Sequence, residues 1–363
     1  MKQKKTTKRP TKVRIKADLP TVKKRGTRAA SADPRLPLGK YSYSSFVKFC
    51  TQPVLFRVEY LNGETIDSLT NISSVMGRAF HKGIAVFYGG DDELVASTEA
   101  EAIEYGLKAA SEYIEQYNDG FIKYSKTVPD KATALAKVVY GYTEYIKDAG
   151  TVRDIASVLM VDKKLEHKID VTWNGKQLSL PVMLTGYLDL SVTRPKGDTV
   201  IDHKLVYSFS DLEKIDGQKM IQSVQYYLLH FAETGRAPYS IIFEETKYTK
   251  NKDGSPQVKR YEIVYAENQL FFDYYFRLYE DMTLALQGQM VYVPNIHALY
   301  DNDVALIAYI HRLDMPDEVA KQMKKHRVDN VTDLLKRKIQ KASLHRAVLE
   351  KINNEFAELK NIN

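Results

Sequence analysis

The chain has 363 residues, 44% of them hydrophobic, with a single cysteine and a formal net charge of +7. That is enough apolar material for one large domain or two modest ones. One thiol, Cys50, excludes an internal disulfide and any cysteine-held zinc or iron–sulfur centre within the chain. No apolar run approaches the 18 residues of a membrane-spanning helix, and the basic N-terminus lacks the apolar stretch of a secretory signal, so the expected location is the cytoplasm.

The charge is unevenly placed. Residues 1–28 hold twelve Lys or Arg against one acid, Asp18. Such a cationic, proline-punctuated run reads as a disordered arm that attracts phosphates without sequence preference, and residues 1–40 form an arm and linker. Residues 41–61 follow, with serines suited to N-caps and Phe46, Phe49, Val54, Leu55 and Phe56 as a packing face. Residues 69–88 read as a helix with Met76, Phe80, Ile84 and Phe87 at helical spacing and His81 beside that stripe. Two more helices are expected near 97–117 and 130–148. From Ala156 the period shifts towards two: strands to Trp173, an NGK turn at 174–176, and a strand over 178–193. A helix near 215–233, a strand at 239–250, a returning strand after NKDGSPQ and a helix at 268–287 complete a sheet core spanning 151–295. Residues 296–363 read as a helical extension, with ten Lys or Arg against four acids between Glu318 and Lys351.

The chemistry gathers at 182–205. Val182, Leu184, Leu188, Leu190 and Val192 alternate with Met183, Thr185, Tyr187, Asp189 and Ser191, as in a strand. A second strand runs from Thr199 to Leu205, with Val200, Asp202 and Lys204 on one face and Ile201, His203 and Leu205 on the other. RPKG at 194–197 supplies the turn. If Thr193 pairs with Asp198, Leu190 faces Ile201, Asp189 faces Asp202 and Tyr187 faces Lys204. Two carboxylates so placed repel each other; a divalent cation between them reverses that sign. Two solvated acids on an edge hairpin would show the same spacing.

GYLDL at 186–190, VIDHK at 200–204 and QSVQY at 222–226 resemble the RecB-type branch of the PD-(D/E)XK nuclease superfamily. SSFVKFCTQP at 44–53 and GRAFH at 77–81 stand upstream in the matching order, so the resemblance spans roughly 41–290. It implies an α/β fold with a restriction-endonuclease-like core: a central mixed β-sheet flanked by helices, a helical N-terminal part at 41–150 and the helical C-terminal extension. It also implies that Asp189, Asp202, His81 and the backbone carbonyl of His203 ligate a catalytic metal. Lys204 would orient or deprotonate the attacking water and stabilise phosphate charge. Gln222 and Tyr226 would lie beside the nucleic acid, and Glu166 matches a further acidic position. The departures are Leu205 where threonine is frequent, and Cys50 separated from Pro53 by Thr51 and Gln52. An iron–sulfur cluster is excluded by the cysteine count, and no phosphate-binding loop for a nucleotide occurs.

The reading is a Mg2+- or Mn2+-dependent deoxyribonuclease, of exonuclease type, in recombination, repair or phage DNA processing. An imidazole ligand suits Mn2+ better than Mg2+. DNA is the expected partner, and the missing motor suggests a separate helicase or recombination protein. A phage protein in the host cytoplasm fits equally. The alternative is a catalytically weak subunit that holds DNA for such a complex. Twenty-five tyrosines could stack unpaired bases, although most fall at core-packing spacing.

Overall fold

The computed structural model describes residues 21–22, 40–61, 70–90, 98–149, 154–173, 175–179, 182–210, 217–287, 346, 347 and 350. The basic arm beyond Thr21–Val22 and nearly all of the expected C-terminal helices lie outside them. The helices are α1 (Tyr43–Thr51), α2 (Pro53–Phe56), α3 (Ile72–Phe87), α4 (Glu99–Glu115), α5 (Lys131–Ala149), α6 (Gly217–Thr234) and α7 (Gln269–Leu286). The strands are β1 (Thr21–Val22), β2 (Lys40–Ser42), β3 (Thr70–Asn71), β4 (Ile122–Lys123), β5 (Ser157–His167), β6 (Asp170–Trp173), β7 (Lys176–Ser179), β8 (Met183–Arg194), β9 (Gly197–Val206), β10 (Ser240–Lys247) and β11 (Val258–Val264). None of the described helices is long and apolar enough to cross a membrane.

The central sheet runs β11-β10-β9-β8-β2, with β5 on the other side of β8. It is mixed. β8 and β9 form an antiparallel hairpin, whereas β9 and β10 are parallel and joined through α6. A parallel pair needs such a crossover. Helices cover both faces. On one side Leu184, Leu188, Val200, Ile241 and Phe243 pack with Phe46 of α1, Val224 and Leu228 of α6 and Tyr275 of α7. On the other, Leu190, Val192, Ile201 and Ile242 pack with Tyr88 and Val161. Beside them α3, α4 and α5 share their own core of Ile72, Met76, Phe80, Ala110, Val138 and Tyr142, to which Leu205 of β9 contributes.

The strand expected at 178–193 is two strands, broken between Ser179 and Met183, where the sequence places Pro181, a residue with no N–H to donate. The apolar residues of β8 do not share one face either. Leu184 and Leu188 face α6, while Leu190 and Val192 belong to the opposite cluster. The alternation inverts at Asp189. Across from it on β5, Asp162 has φ +41°, the only non-glycine left-handed residue among those described. Asp162 accepts an ion pair from Lys82 of α3.

The hairpin register holds from Arg194–Gly197 through Thr193–Asp198 to Leu190–Ile201, as expected, and then the ladder stops. The expected pairings of Asp189 with Asp202 and of Tyr187 with Lys204 are absent. On that side of β8, β2 pairs in parallel with 183–185, which leaves 186–189 without a strand partner on that edge among the described residues. The sheet therefore opens into a slot at GYLD.

α3 is held over the slot by sequence-local and packing features. Asn71 caps it by accepting from Ser73 N at 3.0 Å. Its apolar stripe faces α4 and α5, and at the α3–α4 crossing Gly83 meets Gly106. A Cβ at Gly106 would clash with Tyr142 Oη and lie 2.6 Å from Gly83 O. Overpacking of this kind costs ~1–3 kcal/mol. Gly106→Ala is expected to lower the unfolding free energy by about 2 kcal/mol in urea titrations.

Candidate active site

Asp189 sits at the inversion point, and its carboxylate replaces the missing rung of the ladder. Its Oδ2 accepts the His203 N–H at 2.9 Å. The carbonyl of the same residue, His203, is 2.6 Å from His81 Nε2 of α3. A carbonyl only accepts, so Nε2 carries the proton. In a neutral ring Nδ1 then presents its lone pair, and Nδ1 lies 3.5 Å from Asp189 Oδ1. A neutral His81 thus turns a lone pair towards the Asp189 carboxylate, whereas a protonated ring would form an ion pair with it.

Asp202 and Lys204 lie on the α6 side of β9. Asp202 is 1% exposed. Its Oδ1 accepts from Gln222 Nε2 at 2.7 Å and from Lys204 Nζ at 3.1 Å. Oδ2 is 2.9 Å from the same ammonium, but outside hydrogen-bonding geometry, and receives no directed bond. Burial raises the Asp202 carboxyl above its ordinary range; Lys204 opposes this and Asp189 adds to it. Burial would lower the Lys204 ammonium, but Asp202 and Asp189 outweigh it and hold the group protonated. Gln222 Nε2 also donates to Tyr226 Oη at 3.0 Å, and burial keeps Tyr226 a neutral phenol. Gly186 lets α6 approach this end of β8: a Cβ there would lie 2.8 Å from Leu229 Cδ1.

These residues fit a divalent cation, on two grounds. Asp202 Oδ2 is a buried carboxylate oxygen without a directed donor, and the His81–Asp189 pair is repulsive unless a proton or cation joins it. Hard cations take oxygen donors and complete their shell with water and substrate phosphate. Among the described residues no group of three or more His, Cys, Asp or Glu side chains is arranged to hold a metal ion by itself, so water and substrate phosphate would have to complete the shell.

The expected residues separate into three groups. Asp189, Asp202, Lys204 and His81 come together, with the His203 carbonyl engaged by His81. Gln222 and Tyr226 are buried against Asp202. Glu166 is apart: it pairs with Thr185, four residues from Asp189 and so about 13 Å along the strand, and its carboxylate is held low by Lys164 and Lys40.

A further cluster was not visible in the sequence. On the opposite side of β9 the His203 ring, 1% exposed, places Nε2 3.0 Å from Tyr145 Oη and 3.2 Å from Glu244 Oε2. Glu244 is ion-paired with Arg260, which also binds Asp148 of α5. Burial alone would raise the Glu244 carboxyl; His203 and Arg260 outweigh it and push it down to about 2. The signal in the sequence was only His203 alternating with apolar neighbours; its partners are 41 to 58 residues away.

Comparison with known proteins bears on the whole arrangement. Among curated proteins none matches the sequence. Sixteen chains of solved structures match. One, described as the crystal structure of SSO0001, is 15% identical, with 69% of this chain and 91% of that chain covered, at a TM-score of 0.27. A sequence profile of the PD-(D/E)XK nuclease superfamily matches residues 40–359. That span takes in the slot, both aspartates, Lys204 and the helices on either side, and the mixed sheet between helical layers agrees with it: this chain belongs to the PD-(D/E)XK nuclease superfamily.

Proposed function

We propose that the protein is a divalent-metal-dependent deoxyribonuclease of the RecB type, acting on DNA ends. The observation that carries this reading is the convergence of Asp189, Asp202, His81 and Lys204 where β8 and β9 part. Asp189 and Asp202 would hold Mg2+ or Mn2+ with His81, whose imidazole favours Mn2+. The His203 carbonyl could join them only by giving up its bond to His81. Such an ion, when bound, polarises the phosphate and lowers the pKa of a water.

The chain's own groups do the rest. Gln222 and Lys204 fix Asp202 through Oδ1, while Oδ2 faces the same ammonium without a directed hydrogen bond. Gln222 and Tyr226 act here as a brace behind the carboxylate. Lys204, kept charged by its two carboxylate neighbours, stabilises negative charge as water adds to phosphorus and the P–O bond to the leaving oxygen breaks. That role favours Lys204 as a charge stabiliser over Lys204 as the base. Glu166, on β5 opposite Thr185, serves the Lys40–Lys164 surface rather than the ion.

Two exposed tyrosines support a substrate with unpaired bases. Tyr187 is two residues before Asp189, and Tyr207 is three after Lys204, both at the end where the strands diverge. Tyr207 lies beside Tyr248, over which Lys137 is set at 5.2 Å. By analogy with the RecB-type branch, the protein would act with a separate helicase or recombination protein, in repair, recombination or phage DNA processing. The basic arm at 1–28 would add an electrostatic grip on phosphate.

Wild-type protein is expected to degrade labelled DNA with Mg2+ or Mn2+ and to stop in EDTA. Lys204→Ala should be slower by ~100- to 1000-fold; equal cutting by the variant, or none by the wild type, sinks the assignment. Tyr187→Ala should raise KM for a single-stranded oligonucleotide by about tenfold, as loss of one stacked base does, while Tyr187→Phe retains it. Removal of residues 1–28 should flatten the fall of log affinity with log salt, by about 0.9 for each duplex phosphate that the arm neutralises; filter binding across a salt series measures that slope.

A further inference from the structure

Residue 203 occupies an unusual place. Its N–H holds Asp189, its carbonyl holds His81, and its ring points to the other side of the sheet. The two metal-facing side chains that are not on β9 are therefore both hung on one residue's backbone. The orientation of that backbone is set by where the ring can go. The ring is enclosed edge-on by Tyr145, at 5.3 Å between centroids, and is stacked at 27° on Tyr88. Its Nε2 is shared between Tyr145 Oη and Glu244 Oε2, while Nδ1 has no partner among the described residues. Among the described residues its polar anchorage is through that one nitrogen, so loss of it leaves packing alone to set the ring's orientation.

The anchor is itself fixed. Glu244 stands opposite His203 on β9 and opposite Arg260 on β11, so the register places all three side chains on one face. Arg260 pairs with Glu244, and hence the carboxylate that faces His203 Nε2 is not left as a lone buried charge. Arg260 reaches on to Asp148, and Tyr145 lies three residues earlier on the same helix α5. Tyr145 Oη also lies 3.0 Å from Tyr88 Oη. These links join the helical part of the protein to the strand that carries Asp202 and Lys204.

We propose that the buried His203 ring is a positioning residue for the metal site: held by Tyr145 and Glu244, it sets the backbone that aims Asp189 and His81. This rests on the metal-dependent reading above. Its distinctive consequence is that altering a group on the far side of the sheet weakens ion binding without touching any ligand. Partners of that kind typically change metal affinity by ~10- to 100-fold.

The test is Mn2+ binding to the full chain, followed by electron paramagnetic resonance without DNA and read beside thermal unfolding. His203→Phe keeps a ring of similar size but loses the anchor and should weaken Mn2+ binding about tenfold. Tyr145→Phe keeps its ring packing and removes one hydroxyl; it should weaken binding by a few-fold and serves if His203→Phe fails to fold. Val192→Ala, a cavity in the same face of the sheet, should lower thermal stability and leave Mn2+ affinity unchanged. Wild-type affinity in the folded His203 or Tyr145 variants overturns the proposal alone. So does a weakening in Val192→Ala that matches theirs at equal loss of stability. A wild-type chain that binds no Mn2+ overturns the metal reading beneath it.

Discussion

A buried backbone N–H has to be paired, and in a sheet the partner is normally the next strand. At His203 it is the Asp189 carboxylate instead. That substitution lets β8 and β9 separate after Leu190–Ile201 without leaving an orphan donor. The opening in the sheet, the placing of one acid at its corner and the access of α3 to both strands all depend on it. The inversion of side-chain direction at Asp189 is part of the same arrangement, since a side chain that lies in the gap belongs to neither face.

The second constraint is electrostatic. Asp202 is buried near another acid, with Lys204 and Gln222 against its carboxylate. Burying a carboxylate is unfavourable unless it is paired, and here the pairing is incomplete at Oδ2. Across β9, β10 and β11 the Glu244 carboxylate is by contrast matched on both sides, by Arg260 and by His203 Nε2. On the Asp202 side two acids share one ammonium, Lys204, and that side is left short of positive charge. Local strain and incomplete pairing of that kind concentrate at functional sites.

Much of this was legible in the sequence, and the limits have identifiable causes. The period of two and the RPKG turn were enough for the hairpin and its pairings from Arg194 to Leu190, because turn chemistry fixes register locally. The stop after Leu190 was not legible. Helices cover both faces of the sheet, so apolar residues suit either face, and alternation could not reveal that Leu188 and Leu190 point opposite ways. α3, α4 and α5 were legible because their apolar stripes face each other and repeat at helical spacing. Tyr145, Glu244 and Arg260 were missed because their meaning lies in pairings across distant elements. Glu166 stands opposite Thr185, four residues along β8 from Asp189, a separation that its place in the sequence did not reveal.

His81 and the carbonyl it meets are separated by 122 residues of chain, and Gln222 emerges later still. During synthesis, then, the helical half leaves the ribosome long before the strands that complete the slot. A nascent or truncated chain ending before α6 would lack the brace on Asp202 and so any competent centre. The order of emergence thus separates the helical layer that holds His81 from the strands and helix that complete the slot.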